Sequence, residues 1–399
     1  MNKKIFIIDS FSLNTGDMAI LISLCNLLKK KFPSSSISIE VSHPNVFKKS
    51  NRFRSIRIFP RIIDIQYIYT QKKRYSLLKI LPLNIYDSFS FTIWAILGFI
   101  DFDAIWIIRN SRRAQAVEFK SADIIISTGG GFLSTYYMYG LRLYTLSLAF
   151  LLKKKVVLLS QSIGPFNTTL SRILIPLFLN KASIISVREP SSYRYLKRMK
   201  IKTHIYETSD LAFLLPYKIR SVKNRKKIIV CIKNYKGQVG KEYKETIKKI
   251  TEKLLSQGYK IVILSQTVND DTLGQEIKDS FKNNVEFVEF TPSVDNTMDL
   301  YSKCDFVISS RMHGIIFAIL SKVPFISIGD EPKFLGLLEQ VEYSNKLSIN
   351  VANIEIKKLS ASVDFLIKNH FQIRRDIINK RTMLITRANQ NINILEKLI

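Results

Sequence analysis

Short apolar runs alternate with polar or glycine-bearing loops and longer amphipathic segments along most of this chain. KIFIID precedes NTGDMAILISLCNLLKKKF, SADIIIS precedes TGGGF, KKKVVLLS precedes QSIGPF and TTLSRILIPLFLNKA, and ASIISV precedes REP and SSYRYLKRM. Runs that are apolar at every position, separated by helical patterns, mark parallel strands covered on both faces. After Pro216 the chain turns polar and basic in PYKIRSVKNRKK, and the rhythm then restarts with KKIIVCI, KIVILSQ, VEFVEF, CDFVISS and VPFISIG. The pattern predicts an α/β protein of two doubly wound halves facing a cleft. The expected divisions are an N-terminal half over 1–215, a basic linker over 216–227, a C-terminal half over 228–345 and a helical tail over 346–399. The aromatic, basic segment 46–113 follows neither period and reads as irregular structure with helical pieces.

Composition narrows the class. A length of 399 residues suits two or three domains, at roughly 100–200 residues each. With 46% hydrophobic and 23% charged residues, a disordered, collagen-like or disulfide-scaffold chain is excluded. Cys25, Cys231 and Cys304 lie far apart, without the paired spacing of a zinc or redox site, so no metal is expected. They predict buried thiols in a reducing compartment. The N-terminal MNKKIFIIDS reads as a first buried strand rather than a signal segment. The apolar stretches at 89–100 and 143–152 fall short of the ~20 residues that cross a bilayer. The expectation is a cytoplasmic protein. The 61 lysines and arginines exceed the 32 acidic residues, for a formal net charge of +29. That excess calls for a polyanionic neighbour or reflects compositional bias.

Ligands of open α/β sheets bind beyond the carboxyl ends of the strands, so the residues after each strand are the candidates. Asp17, in NTGDMA, stands before the first helix. It can cap orphan N–H groups there, or act at the cleft edge as a base for an incoming hydroxyl. STGGGF sets Gly129, Gly130 and Gly131 between a strand and a helix, as a tight turn or as backbone that approaches an oxyanion. Gln161 and Ser162, in SQSIGPF, can donate hydrogen bonds to a sugar or an acid. Arg188, after ASIISV, can grip a carboxylate or phosphate, or pair with Glu189 or another acid. The most informative loop is SSRMHG, where Arg311 opens an apolar helix and His313 sits at its N-terminus, a position that favours anions. Lys333 follows the next strand and can reach the same pocket. His43, His204 and His370 lack such a setting.

Taken in order, NTGDMAIL, STGGGF, SQSIGPF, SVREPSSYRYL, ETSDLAFLL and SSRMHGIIFAILSKVPFISI with EPK after it resemble the polysaccharide pyruvyl transferase family, over about residues 14–340. The resemblance implies two Rossmann-like domains, similar to type-B glycosyltransferases. It implies transfer of pyruvate from phosphoenolpyruvate onto two hydroxyls of a glycan sugar as a ketal, with release of phosphate and no cofactor. His313 matches the family's essential histidine, as acid, base or phosphate contact, and Arg188 its donor-binding arginine. Asp17 and Lys333 match positions expected to serve catalysis or donor binding. Where the family commonly has a Tyr-Asp-Pro-Lys-like stretch, this chain has Gly329-Asp330-Glu331-Pro332-Lys333. The segment 46–113 carries no family signature, so acceptor choice is expected there or nearby. The acceptor half is expected to be the first and the donor half the second.

The implied acceptors are glycans or lipid-linked oligosaccharides. Peripheral contact with an anionic inner membrane face is therefore expected, through the basic, aromatic SNRFRSIRIFPRI at 50–62. Two alternatives stand beside this reading. One is a nucleotide-sugar glycosyltransferase of the same fold, since fold does not fix function. The other is a non-catalytic nucleic-acid-binding protein. Dispersed basic residues and the lack of a recognised module argue against specific nucleic acid.

Overall fold

The computed structural model describes residues 3–48, 51–63, 74–217 and 226–398. Most of the expected linker, residues 218–225, lies outside the described residues. The first sheet holds β1 (Lys4–Ser10), β2 (Ser36–Val41), β3 (Arg57–Pro60), β4 (Ile124–Ser127), β5 (Gly130–Leu133), β6 (Lys155–Ile163), β7 (Ile184–Val187) and β8 (Ile205–Glu207). Its order is β3-β2-β1-β4-β6-β7-β8, with β5 beside β6 and every pairing parallel. The second sheet holds β9 (Lys227–Cys231), β10 (Lys260–Leu264), β11 (Val285–Val288), β12 (Phe306–Ser309), β13 (Phe325–Ile328) and β14 (Ser348–Ile349). Its order is β11-β10-β9-β12-β13-β14, again all parallel. In both sheets the strand order reverses beside the first strand, which opens a crevice at the carboxyl ends of β1 and β9.

The helices of the first half are α1 (Thr15–Lys31), α2 (Pro44–Lys48), α3 (Arg74–Phe99), α4 (Asn110–Ser121), α5 (Tyr139–Leu151), α6 (Thr169–Leu179) and α7 (Pro190–Arg198). The second half adds α8 (Gly237–Ser256), α9 (Asp271–Ser280), α10 (Val294–Ser302), α11 (Met312–Leu320) and α12 (Pro332–Gln340), followed by α13 (Ile356–Lys368) and α14 (His370–Glu396).

α1 joins the halves. It is apolar on nearly every side because it is covered twice, by its own sheet and by α10 and α11. Leu21 and Leu24 are fully buried in that sandwich, each contributing about 1.5–3 kcal/mol of transfer free energy. The cap is Asn14 rather than Asp17: its Oδ1 accepts from the N–H groups of Gly16 at 2.8 Å and Asp17 at 3.3 Å. The Asp17 carboxylate is thereby left to other work. Thr15 donates its N–H to the Gln266 carbonyl at 3.1 Å, which stitches the start of α1 to the loop after β10.

Three expectations change. Segment 46–113 contains the expected helical pieces, with α3 the longest, but also the edge strand β3. β3 has only four residues, and the apolar residues of α3 run all round it, so neither leaves a clean period. The tail does not begin at 346, because Ser348-Ile349 still pairs with β13. Its last helix also returns to the first half, where buried Asn391 accepts from Ser186 Oγ at 2.7 Å and Lys397 donates to Tyr206 Oη at 3.1 Å. Finally, the described part of the expected membrane-contact segment, 51–62, is not a free strip. Arg52 pairs with Asp295, Arg57 with Glu118, Arg61 donates to the Ser10 carbonyl, and Phe53, Ile56 and Ile62 are buried.

Candidate active site

A cavity of about 250 Å³ lies between the halves at the carboxyl ends of both sheets. Asp17 comes to it from α1, Gly131 from β5 and Arg188 from the end of β7. Arg311 and His313 follow β12, and Lys333 follows β13. Residues scattered over most of the chain thus face one space.

Its organising group is Asp210, in the ETSDLAFLL segment after β8. Asp210 is buried, and its Oδ2 accepts from Arg188 Nη1 at 2.6 Å while lying 3.5 Å from His313 Nε2. One side chain from each half thus meets a single carboxylate oxygen. Oδ1 is fixed by the Ala212 N–H at 2.8 Å. Burial alone would raise the Asp210 pKa, but Arg188 and His313 outweigh it and hold the carboxyl at about 2. Arg188 also donates from Nε to Ser162 Oγ at 2.8 Å and lies 3.5 Å from Glu189. The expected ion pair is therefore present, and the side chain also lines the cavity.

The imidazole of His313 rests on the bare Cα of Gly16. A methyl group there would fall 2.0 Å from His313 Cγ and Nδ1. Gly16→Ala is expected to push the ring out of place and lower turnover by about 10²-fold, as ångström-scale misplacement of a reacting group does. Steady-state kcat of that variant checks this, and an unchanged kcat contradicts it.

Arg311 is held from behind by buried Asp270, to which Nε donates at 2.9 Å and Nη2 also donates, and by Thr267 Oγ1 at 3.2 Å. Lys333 donates to Tyr137 Oη at 2.6 Å and pairs with Glu331 at 3.0 Å. Glu331 also pairs with Lys233. Burial pushes the Glu331 carboxyl up, yet Lys333 and Lys233 bring it down to about 2. Asp17 differs from these paired acids. Burial raises its pKa, and the opposing pull of His313, Lys333 and Arg188 does not cancel that rise. Glu189, beside Arg188, is likewise raised by burial.

A second cavity, of about 220 Å³, adjoins the first and shares Gly131, Tyr137, Glu331 and Lys333 with it. Tyr136 and Tyr195 line it, with Arg198 also on its wall. The Lys333–Tyr137 contact stands between the two spaces. Among the described residues, no group of three or more His, Cys, Asp or Glu is placed to hold a metal ion.

With this geometry in view, comparison with known proteins is decisive on one point. The sequence profile described as polysaccharide pyruvyl transferase matches residues 14–332, most of the chain. The chain belongs to the polysaccharide pyruvyl transferase family. The amylovoran biosynthesis protein AmsJ of Erwinia amylovora is similar at 23% identity over 292 residues, 65% of this chain and 68% of that one. Solved structures support the fold alone. Anabaena HepE, determined with UDP and glucose, superposes with a TM-score of 0.60 at 12% identity over 100% of both chains. The UDP-GlcNAc 2-epimerase of Methanocaldococcus jannaschii gives 0.61 at 13% identity, over 98% of this chain and 99% of that one. Type-B glycosyltransferases and epimerases thus share the Rossmann-like architecture of this family member.

Three of the expected substrate contacts of this family member, Gln161, Gly129 and Gly130, line neither cavity. Gln161 and Ser162 belong to β6 itself, not to a loop after it. Gln161 spends Nε2 on the Ser127 and Thr128 carbonyls at 3.1 and 2.6 Å. Ser162 borders the second cavity, but its hydroxyl donates to Glu189 at 2.8 Å and accepts from Arg188. STGGGF runs into the short strand β5 instead of a helix N-terminus. A side chain on Gly129 would meet the Ser160 carbonyl at 2.8 Å, so this glycine serves packing. No described residue of 46–113 lines either cavity. The predicted thiols are buried, and burial raises Cys25 and Cys231 to about 12. Asp210, Asp270 and Glu331 are the acids pairing the cations of this site that sequence reasoning did not single out. Asp210 lies in a quoted motif, but its partners come from other segments.

Proposed function

We propose that this chain moves pyruvate from phosphoenolpyruvate onto two hydroxyls of a glycan sugar as a ketal, releasing phosphate, in the making of a cell-surface or exported polysaccharide. The observation that carries this reading is the meeting of Arg188 and His313 on Asp210, beside Arg311 and Lys333. A small donor bearing both a phosphate and a carboxylate calls for clustered guanidinium and ammonium groups. Arg188, Arg311 and Lys333 are assigned to those anions.

In the proposed reaction the donor's methylene carbon takes a proton while a sugar hydroxyl adds to the neighbouring carbon. The resulting tetrahedral centre still carries phosphate. Phosphate then leaves, and the second hydroxyl closes on the same carbon. One hydroxyl proton ends on the new methyl group and the other on phosphate. His313 delivers the proton at the donor. Asp17, its basicity raised by burial, accepts the proton of the attacking hydroxyl. The sugar lies in the second cavity, its faces against Tyr136, Tyr137 and Tyr195, with its hydroxyls aimed past Lys333.

Ligand-dependent thermal unfolding tests the donor. At a hundredfold excess over its dissociation constant, phosphoenolpyruvate is expected to stabilise the protein by about 2.7 kcal/mol, whereas UDP-sugars leave the midpoint unmoved. Stabilisation by UDP-sugars and not by phosphoenolpyruvate would favour the glycosyltransferase alternative and overturn this reading.

A further inference from the structure

Most of the exposed large apolar side chains among the described residues belong to the first half. On α3, Ile85, Phe89, Ile96 and Phe99 form one stripe at helical spacing, and Phe89 is 67% exposed. No charge interrupts it: the one ionisable acid between Leu81 and Ile100, Asp87, is buried and held by Arg109 and Arg112. α6 repeats the device with Leu170, Ile173 and Leu177, of which Ile173 is 60% exposed. Both helices flank α5 on the same face of the sheet. α3 reaches it through the Thr92 hydroxyl at 3.4 Å from Tyr144 Oη, and α6 through Phe178 against Phe150. The two stripes therefore look outward from one side.

The surrounding charge indicates what covers them. From Ile124 to Arg188 the sequence holds no acidic residue. Lys153, Arg172 of α6 and Lys181 just after it are exposed, and Lys153 Nζ sits 5.0 Å above the Phe99 ring; the exposed acids nearest in sequence are Asp101 and Asp103, just after α3, the latter paired with Lys120. A second copy would set these cations against their own equivalents across a two-fold contact, which is repulsive. An anionic surface meets them favourably, and apolar stripes edged by lysine and arginine are the anatomy of helices lying in a membrane interface. None of the described helices is long and apolar enough to cross a bilayer.

We propose that the α3–α5–α6 face docks onto an anionic lipid bilayer, with the apolar stripes at headgroup depth and the cations against lipid phosphates. The turns that begin α5 and α6, bearing Tyr136 and Gly164-Pro165, also line the second cavity, so this cavity opens beside the docked face. Presentation of a lipid-anchored acceptor to that cavity rests on the proposed reaction; the docking itself does not.

Flotation of the full chain with vesicles of phosphatidylcholine and roughly one-third phosphatidylglycerol, without any substrate, tests the docking. The wild type is expected to float with these vesicles. Phe89→Ser combined with Ile173→Ser is expected to cut the bound fraction at least about tenfold, with the thermal midpoint retained because both side chains are exposed. A wild type that stays in solution overturns the proposal. So does a double variant that floats as well as the wild type, since net charge alone would then explain the binding. A solution dimer split by the same substitutions, with no flotation, would assign the face to a second copy. Because no substrate is present, a negative result leaves the proposed reaction untouched, and failure of that reaction leaves the docking face untouched.

Discussion

His313→Ala is expected to lose transfer by about 10²–10⁴-fold while keeping its fold, the range for removing a positioned proton-transfer group. The ring stands in the first turn of α11, rests on Gly16 and faces Asp210, so it is held from both halves. Its loss removes the only imidazole among the described residues lining the cavity but no main-chain contact of the helix. The decisive comparison is kcat at saturating donor, with circular dichroism to confirm folding. Turnover near the wild-type rate in a folded variant would remove His313 from the chemistry.

Asp210→Ala is expected to do two kinds of damage. It strips the buried Arg188 of its nearest counter-ion, a loss of about 3 kcal/mol and the low end for breaking a buried pair, because Glu189 still faces the guanidinium. It also frees Arg188 and His313 to leave their shared geometry, so donor affinity and kcat should both fall. Urea unfolding and initial rates measure the two effects separately. The pH dependence has a definite sign. Asp210 is held at about 2 in the folded chain, below the roughly 3.9 of an unfolded aspartate. Its stabilisation is complete above the unfolded value and is lost as pH falls through the folded one. The variant should therefore lose less stability than the wild type on acidification from pH about 4 to about 2. Equal acid sensitivity in the two proteins would show that the carboxylate is not the clamp.

The carboxyl ends of the strands are readable from sequence where an apolar run stops as the chain leaves the sheet. Arg188 after Ile184–Val187 and Arg311 after Phe306–Ser309 are such cases. β6 misleads because it continues through Gln161 and Ser162, whose polar groups are satisfied inside the protein by Ser127, Thr128, Glu189 and Arg188. Polar residues at a strand end then no longer mark a loop. α3 hides from periodicity for the opposite reason: its outer face is as apolar as its inner one. Gly16 could be recognised as permissive but not as the seat of His313, since the ring arrives from the other half. Asp210 and Asp270 are single acids whose meaning appears only once the fold brings Arg188, His313 and Arg311 to them.

The departure at Glu331 has a structural use. Its one carboxylate pairs with both Lys333 and Lys233, which ties the two ammonium groups to the cavity wall and leaves the trio with one net positive charge.

The central claim is best tested by incubating the chain with phosphoenolpyruvate and a panel of lipid-linked and nitrophenyl glycosides, reading phosphate release and acceptor mass together. The account predicts phosphate released only when a suitable glycoside is present, matched by the gain of one pyruvyl ketal on that glycoside. Glycosides lengthened from a nucleotide sugar, with phosphoenolpyruvate left intact throughout, would contradict it.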